Sequence, residues 1–244
     1  MDAAEYTNLQ QVEEKHWYYA GKRELVRRWL QRVGPPKPAE TLLDCGAGTG
    51  RFAREMVAHC RVLVLDDHEE SLRLLREIFA ADQVIALTGG EVPLPDASVD
   101  YITALDVLEH VEHDKEAVQG FHRLLKPGGI ALVTVPAGMA LWSDWDVSLH
   151  HFRRYSRPQL RAIFPGEQWE IIYLNYTNIP AFPIAWVLRR LRSKKPAEAG
   201  KSRMEDRIPA PWLNRILQGI FVRMAFWRLP FPFGLSLLLV ARKR

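Results

Sequence analysis

Asp44-Cys-Gly46-Ala-Gly48-Thr-Gly50 is the segment of this 244-residue sequence best equipped for chemistry. An apolar run, Thr41–Cys45, leads into it, and an amphipathic stretch begins at Arg51. Alternating glycines let a backbone turn sharply and come close to a ligand. The helix start that follows offers unpaired N–H groups to a polar partner. Dinucleotide sites prefer G-x-G-x-x-G, and the Asp44 carboxylate would repel a phosphate. The arrangement suits a nucleoside that carries an ammonium group and no phosphate. Sixteen residues past Gly50, Asp66 closes the next apolar run, RVLVLD. A carboxylate there can accept from both hydroxyls of a ribose, with Asp67 the second candidate. A glycine turn that serves only strand-to-helix packing is the plainer alternative.

S-adenosylmethionine has an amine, a sulfonium and no phosphate, and so fits the first site. A second candidate cluster lies in SDWDVSLHHFRRYSRPQL, with Asp146, His151, Arg153, Arg154 and Tyr155. Its functional reading is an acceptor site. His151 is the general base, Asp146 orients it, and Tyr155 or an arginine binds the acceptor. Its structural reading is a set of arginines paired with acids. His110, in LEHV, reads as a packed residue. No metal-type spacing surrounds the eight histidines or two cysteines.

The elements that must position these residues follow from hydropathy. A helix is expected from Asn8 to Val33, with Leu9, Val12, His16, Leu25, Val26 and Trp29 inside, stopped by Gly34-Pro-Pro-Lys-Pro38. Strands are expected at Thr41–Cys45, Arg61–Leu65, Gln83–Leu87, Val99–Leu105, Ile130–Val135, Trp169–Tyr176 and Leu235–Ala241. Helices are expected at Arg51–His59, Glu69–Ala80, Lys115–Leu125 and Pro158–Phe164. Strands alternating with helices at this spacing indicate βαβ units and a parallel sheet.

The chain resembles the class I S-adenosylmethionine-dependent methyltransferases in an ordered set of motifs. These are TLLDCGAGTGRFARE, VLVLDDHEESLRLLRE, PLPDASVDYI, LDVLEHV and LLKPGG, covering residues 41–137. The resemblance implies a doubly wound α/β fold, a mostly parallel seven-stranded sheet with an antiparallel last strand. It implies that Asp44, Gly46 and Gly48 hold the methionine end, Asp66 the ribose, and Leu105 and Asp106 line the methionine side, with Gly50 also in the cofactor loop. Many relatives place an acid after the third strand for the adenine amino group. Thr88 stands there, followed by Gly89 and Gly90, so adenine falls to backbone groups, the Thr88 hydroxyl or Glu91. HWYYAGKRELV and the Asp–His–Arg–Arg–Tyr stretch resemble a subset of the family.

The expected organisation is a single domain. It has a helical cap over 1–38, a cofactor core over 41–176, a helical lid or insertion over 177–233, and a last strand with a basic tail over 234–244. Residues 1–188 hold 19 Lys/Arg against 26 Asp/Glu, net −7, and residues 189–244 hold 14 against 3, net +11. Such polarity suits peripheral contact with an anionic membrane, or neutralisation of the acidic body within a homodimer. Neither apolar stretch of the insertion reads as a bilayer span, and its middle, about Ser193 to Asp206, reads as protease-sensitive. Few cysteines and no apolar leader point to the cytoplasm. The expected activity is methyl transfer to a small hydrophobic acceptor carrying a hydroxyl or amine. The alternatives are a membrane-surface enzyme for a lipid-linked anionic substrate and a nicotinamide-dependent oxidoreductase. Nucleic acid is disfavoured, since no reader motif accompanies the basic tail.

Overall fold

A computed structural model describes residues 12–88, 90–191, 208–227 and 229–244. Helix α1 spans Trp17–Val33. It is followed by β1 (Thr41–Cys45), α2 (Arg51–Met56), β2 (Arg61–Asp66), α3 (Glu69–Ile78), β3 (Val84–Ala86) and β4 (Val99–Leu105). Next come α4 (Asp114–Leu124), β5 (Leu125–Pro136), α5 (Asp144–Ser148), α6 (Arg157–Ala162) and β6 (Trp169–Thr177). The order ends with α7 (Phe182–Leu191), α8 (Pro211–Phe226) and β7 (Ser236–Lys243). All seven strands form one sheet in the order β3-β2-β1-β4-β5-β7-β6, and β7 runs antiparallel to both neighbours. The doubly wound fold expected of the sequence is the fold observed.

The middles of the central strands are apolar because helices cover both faces of the sheet. Leu42 of β1 packs with Val26, Phe52 and Phe221, whereas its neighbour Leu43 belongs with Val118, Phe121 and Leu160. One layer is therefore α1, α2, α3 and α8, and the other is α4 and α6.

One expectation changes at the N-terminal helix. The helix expected over 8–33 is broken: Val12 and Glu13 are helical, a turn follows at Glu14–Lys15, and α1 begins at Trp17, where the His16 side chain caps it by accepting from Tyr18 N at 3.3 Å. Val12, His16, Leu25, Val26 and Trp29 are buried as expected, while Leu9 lies outside the described residues. The sequence reading also passed over α5, a single turn whose Ser143–Asp146 capping box starts it.

One helix of the insertion belongs to the body. Helix α8 buries Phe221, Val222 and Ala225, Asn214 Oδ1 accepts from Trp17 N at 2.9 Å, and Phe221 reaches the face of α1 at Gly21. The Ser193–Asp206 segment lies outside the described residues. Among the described residues no helix is long and apolar enough to cross a membrane.

Candidate functional site

The first cluster forms at the C-terminal ends of β1, β2 and β4, where open α/β sheets have their crevice. Gly46, Gly48 and Gly50 have φ of +62°, +57° and +72°. A Cβ at Gly46 would lie 2.6 Å from Val107 Cγ2, and one at Gly50 2.8 Å from Leu75 Cδ2. A Cβ at Gly48 would meet nothing within 4 Å, so the loop keeps an open side there. Asp66 secures this loop: its Oδ2 accepts from Gly48 N at 2.9 Å and its Oδ1 from His68 N at 3.0 Å. Each oxygen retains a lone pair for a further donor.

Asp44 is 3% exposed, and its Oδ1 accepts from Thr103 Oγ1 at 2.6 Å across the β1–β4 pairing. Burial pushes its carboxyl up to about 7 against the pull of Thr103, with the charges of Glu13 and Asp66 adding to the rise. Asp106, just past β4, adopts φ +58°. Its Oδ1 accepts from Thr134 Oγ1 at 2.8 Å, and its Oδ2 pairs with Lys22 of α1. Burial opposes ionisation of Asp106, but Lys22 outweighs it and holds the carboxyl below its ordinary value. Lys22 also lies 4.6 Å from the centre of the Tyr18 ring.

The second cluster joins the turn after β4 to the segment after β5. His151 Nδ1 lies 2.9 Å from Asp146 Oδ1, which also accepts from Arg154 Nε at 2.7 Å. Asp146 Oδ2 accepts from Ser143 N at 2.9 Å. Burial works against this carboxylate, yet its bonds to His151 and Arg154 bring it down to about 2. The His110 and His151 rings meet edge to face at 4.6 Å. Phe152 N donates to Glu109 O at 2.8 Å, which locks the two segments together.

Residues 43–133 match a family model described as a methyltransferase domain. A Mycolicibacterium smegmatis protein described as a probable S-adenosylmethionine-dependent methyltransferase is 28% identical over 164 residues, 66% of this chain. That alignment spans 62% of the relative's own length, so the chain matches about three fifths of it. The malonyl-[acyl-carrier protein] O-methyltransferase of Enterobacter lignolyticus is 28% identical over 188 residues, 73% of each protein. The crystal structure of a SAM-dependent methyltransferase from Archaeoglobus fulgidus shares the fold, with a TM-score of 0.56 at 17% identity over 91% of this chain and 94% of that one. Residues 43–133 carry a methyltransferase domain, set in a fold that solved methyltransferases share.

The relatives are described as S-adenosylmethionine-dependent, and the crevice suits that cofactor on three observations. Gly48 leaves open space at the loop, the ends of β1 and β2 carry carboxylates that attract an ammonium and ribose hydroxyls, and those carboxylates would repel a pyrophosphate. The same features and the family match set the nicotinamide alternative aside.

The structure brings Asp44, Gly46, Gly48, Gly50, Asp66, Leu105 and Asp106 to one end of the sheet, as expected for neighbours in the strand order. Asp67 is exposed beside Asp66, and no hydrogen bond ties it to the loop among the described residues. Thr88 is exposed just past β3, Gly89 lies outside the described residues, and exposed Glu91 sits 3.6 Å from Arg123 Nε. Tyr155 is a correction. It is 2% exposed, and its hydroxyl is spent on Leu108 O at 3.1 Å and Asp114 Oδ2 at 2.8 Å, so it braces the turn after β4 and does not face an acceptor. Arg154 is likewise committed to Asp146.

Sequence reasoning missed Lys22, Thr103, Thr134 and Glu109. Tyr18 and Lys22 share a helix face at i, i+4 spacing, which was a readable signal. Glu109 gave none, because an acid between Leu108 and His110 looks like a solvated charge and is fully buried.

Proposed function

We propose that this methyltransferase moves the methyl group of S-adenosylmethionine to a small, largely apolar acceptor presented beside His151, through a hydroxyl or an amine. The observation that carries this is continuity. The glycine loop and Asp66 lie at the strand ends beside Asp44, Asp106 follows β4 and leads into the turn that carries Glu109 and His110, and the His110 ring meets His151 at 4.6 Å.

The cofactor, when bound, supplies an electrophilic methyl on sulfur. Asp66 would accept from its ribose, and Asp44 would face its ammonium group. Leu105 and Asp106 would line the methionine side, with Lys22 setting the position of Asp106. Thr88 and the backbone near it would meet adenine. Asp146 takes the Nδ1 proton of His151 into a hydrogen bond, leaving Nε2 with its lone pair for activating the acceptor. The acceptor oxygen or nitrogen would bond to that methyl as the methyl's bond to sulfur breaks, with the acceptor's proton passing to His151 Nε2 and from there to solvent. Alignment and exclusion of water carry most of the catalysis. A hydroxyl acceptor is favoured, since it needs activation that an amine does not.

Incubating the protein with methyl-labelled S-adenosylmethionine and a metabolite extract, followed by mass spectrometry, tests the reaction. A labelled product is expected, and none across diverse extracts contradicts it. His151→Ala is expected to lower turnover by about 10²–10⁴ with cofactor affinity intact. Near-normal turnover would move the acceptor away from His151.

A second reading, a membrane-surface enzyme for a lipid-linked anionic acceptor, has its own support. Trp212, Ile216 and Ile220 stand exposed at four-residue spacing on α8, with Arg215 and Arg223 exposed alongside. An apolar ridge edged by arginines is how interfacial helices meet anionic headgroups. Co-sedimentation with anionic but not neutral vesicles, weakening with salt, is the expected signature.

A further inference from the structure

Among the described residues, Glu109, His110 and His151 bring one ligand-type atom each to within 4.8 Å of one another. Glu109 is fully buried, and neither carboxylate oxygen reaches a hydrogen-bond partner outside its own residue. A buried acid with unused oxygens is costly unless it stays protonated or something electropositive faces it. The adjoining imidazole is prepared for the second outcome. The Nδ1 of His151 is held by Asp146, which Arg154 and Ser143 hold in turn, so Nε2 is the free nitrogen. A carboxylate behind the imidazole is the usual support of a metal-binding histidine. The positions of the three residues are set by the protein itself, through Phe152 N to Glu109 O and Tyr155 hydroxyl to Leu108 O.

We propose that Glu109, His110 and His151 bind one divalent transition-metal cation through one carboxylate and two imidazoles. Zinc, manganese and iron(II) accept this donor set, whereas magnesium and calcium prefer oxygen shells. Three protein ligands leave a coordination position open. Resting on the methyl-transfer reading, that position would take the acceptor's oxygen, and the ion would then acidify the hydroxyl in place of proton transfer to His151 Nε2. A metal-bound hydroxyl gives up its proton to solvent near neutral pH, as metal-bound water does.

The test uses the full chain without a histidine tag, stripped by a chelator and dialysed. Titration with Co²⁺, followed in the visible, and with Zn²⁺, followed by calorimetry, is expected to show one saturable site. Glu109→Gln and His151→Ala are each expected to weaken binding by about 10–100-fold or more. His59→Ala, at an exposed histidine, is expected to bind as the parent does. Absence of a saturable site in the unaltered protein overturns the proposal, whatever the variants do. Unchanged affinity in both Glu109→Gln and His151→Ala also overturns it. Calorimetry with S-adenosylhomocysteine on the same metal-free protein separates the two readings. Nucleoside binding without metal binding removes only the ion, whereas metal binding without nucleoside binding removes the methyl-transfer reading and leaves the ion site standing.

Discussion

Asp44 is held by burial at about 7 in the ligand-free protein, roughly three pH units above an ordinary aspartate. Between about 4 and 7 the native chain keeps a proton that the unfolded chain has lost. Stability without ligand therefore falls as pH rises across that window and levels off above it. An ammonium group arriving at Asp44 favours the carboxylate, so cofactor binding at pH 6 is expected to release a proton. Affinity for S-adenosylhomocysteine should then rise from pH 5 to pH 7. Calorimetry in buffers of different ionisation heat reads the release, and none at pH 6 would place the ammonium elsewhere. Asp44 and Asp66 were legible because glycine spacing and strand ends announce them. The Lys22–Asp106 pair and the Glu109–His110–His151 group were not. Each joins residues distant in sequence, and only the order of strands makes them neighbours. Tyr155 misled for the same reason, since a tyrosine beside two arginines looks exposed until Leu108 and Asp114 take its hydroxyl.

The glycine loop and the α1–α8 pair are the elements whose geometry can be tested directly. Gly46 and Gly48 share a left-handed φ, which costs an alanine about 1–2 kcal/mol. Only at Gly46 does a methyl also strike Val107. Gly46→Ala is therefore expected to lower the unfolding midpoint more than Gly48→Ala. Gly48→Ala, whose methyl enters open space, should stay folded and lose cofactor affinity. Equal stability in the two variants would mean that Val107 yields freely. Phe221, 2% exposed, fills the space over Gly21 between α1 and α8. Phe221→Ala is expected to cost about 3–5 kcal/mol in denaturant unfolding, and a loss under 1 kcal/mol would show that α8 is only loosely attached. The strands and most helices were readable from their periodicity. The docking of α8 was not, because its inner and outer faces are both apolar and the sequence does not say which meets α1.

At the scale of the molecule, a ligand that binds only the folded chain stabilises all of it. S-adenosylhomocysteine at a hundredfold excess over its Kd is expected to add about 2.7 kcal/mol. In a chain of this size that raises the unfolding midpoint by about 5–10 °C, and no rise in a thermal scan would contradict the crevice as its site. The seven strands also carry a consequence for synthesis. β7 fills the gap between β5 and β6, yet residues 178–235 separate it from β6 in the chain. While those residues are being made, β5 and β6 each present a bare edge toward the same empty lane. Unpaired edges of apolar strands invite another chain to fill the lane. A ribosome slowed anywhere in 178–235 would hold the nascent protein at its stickiest, and a chaperone that grips exposed strands would have its longest opportunity there.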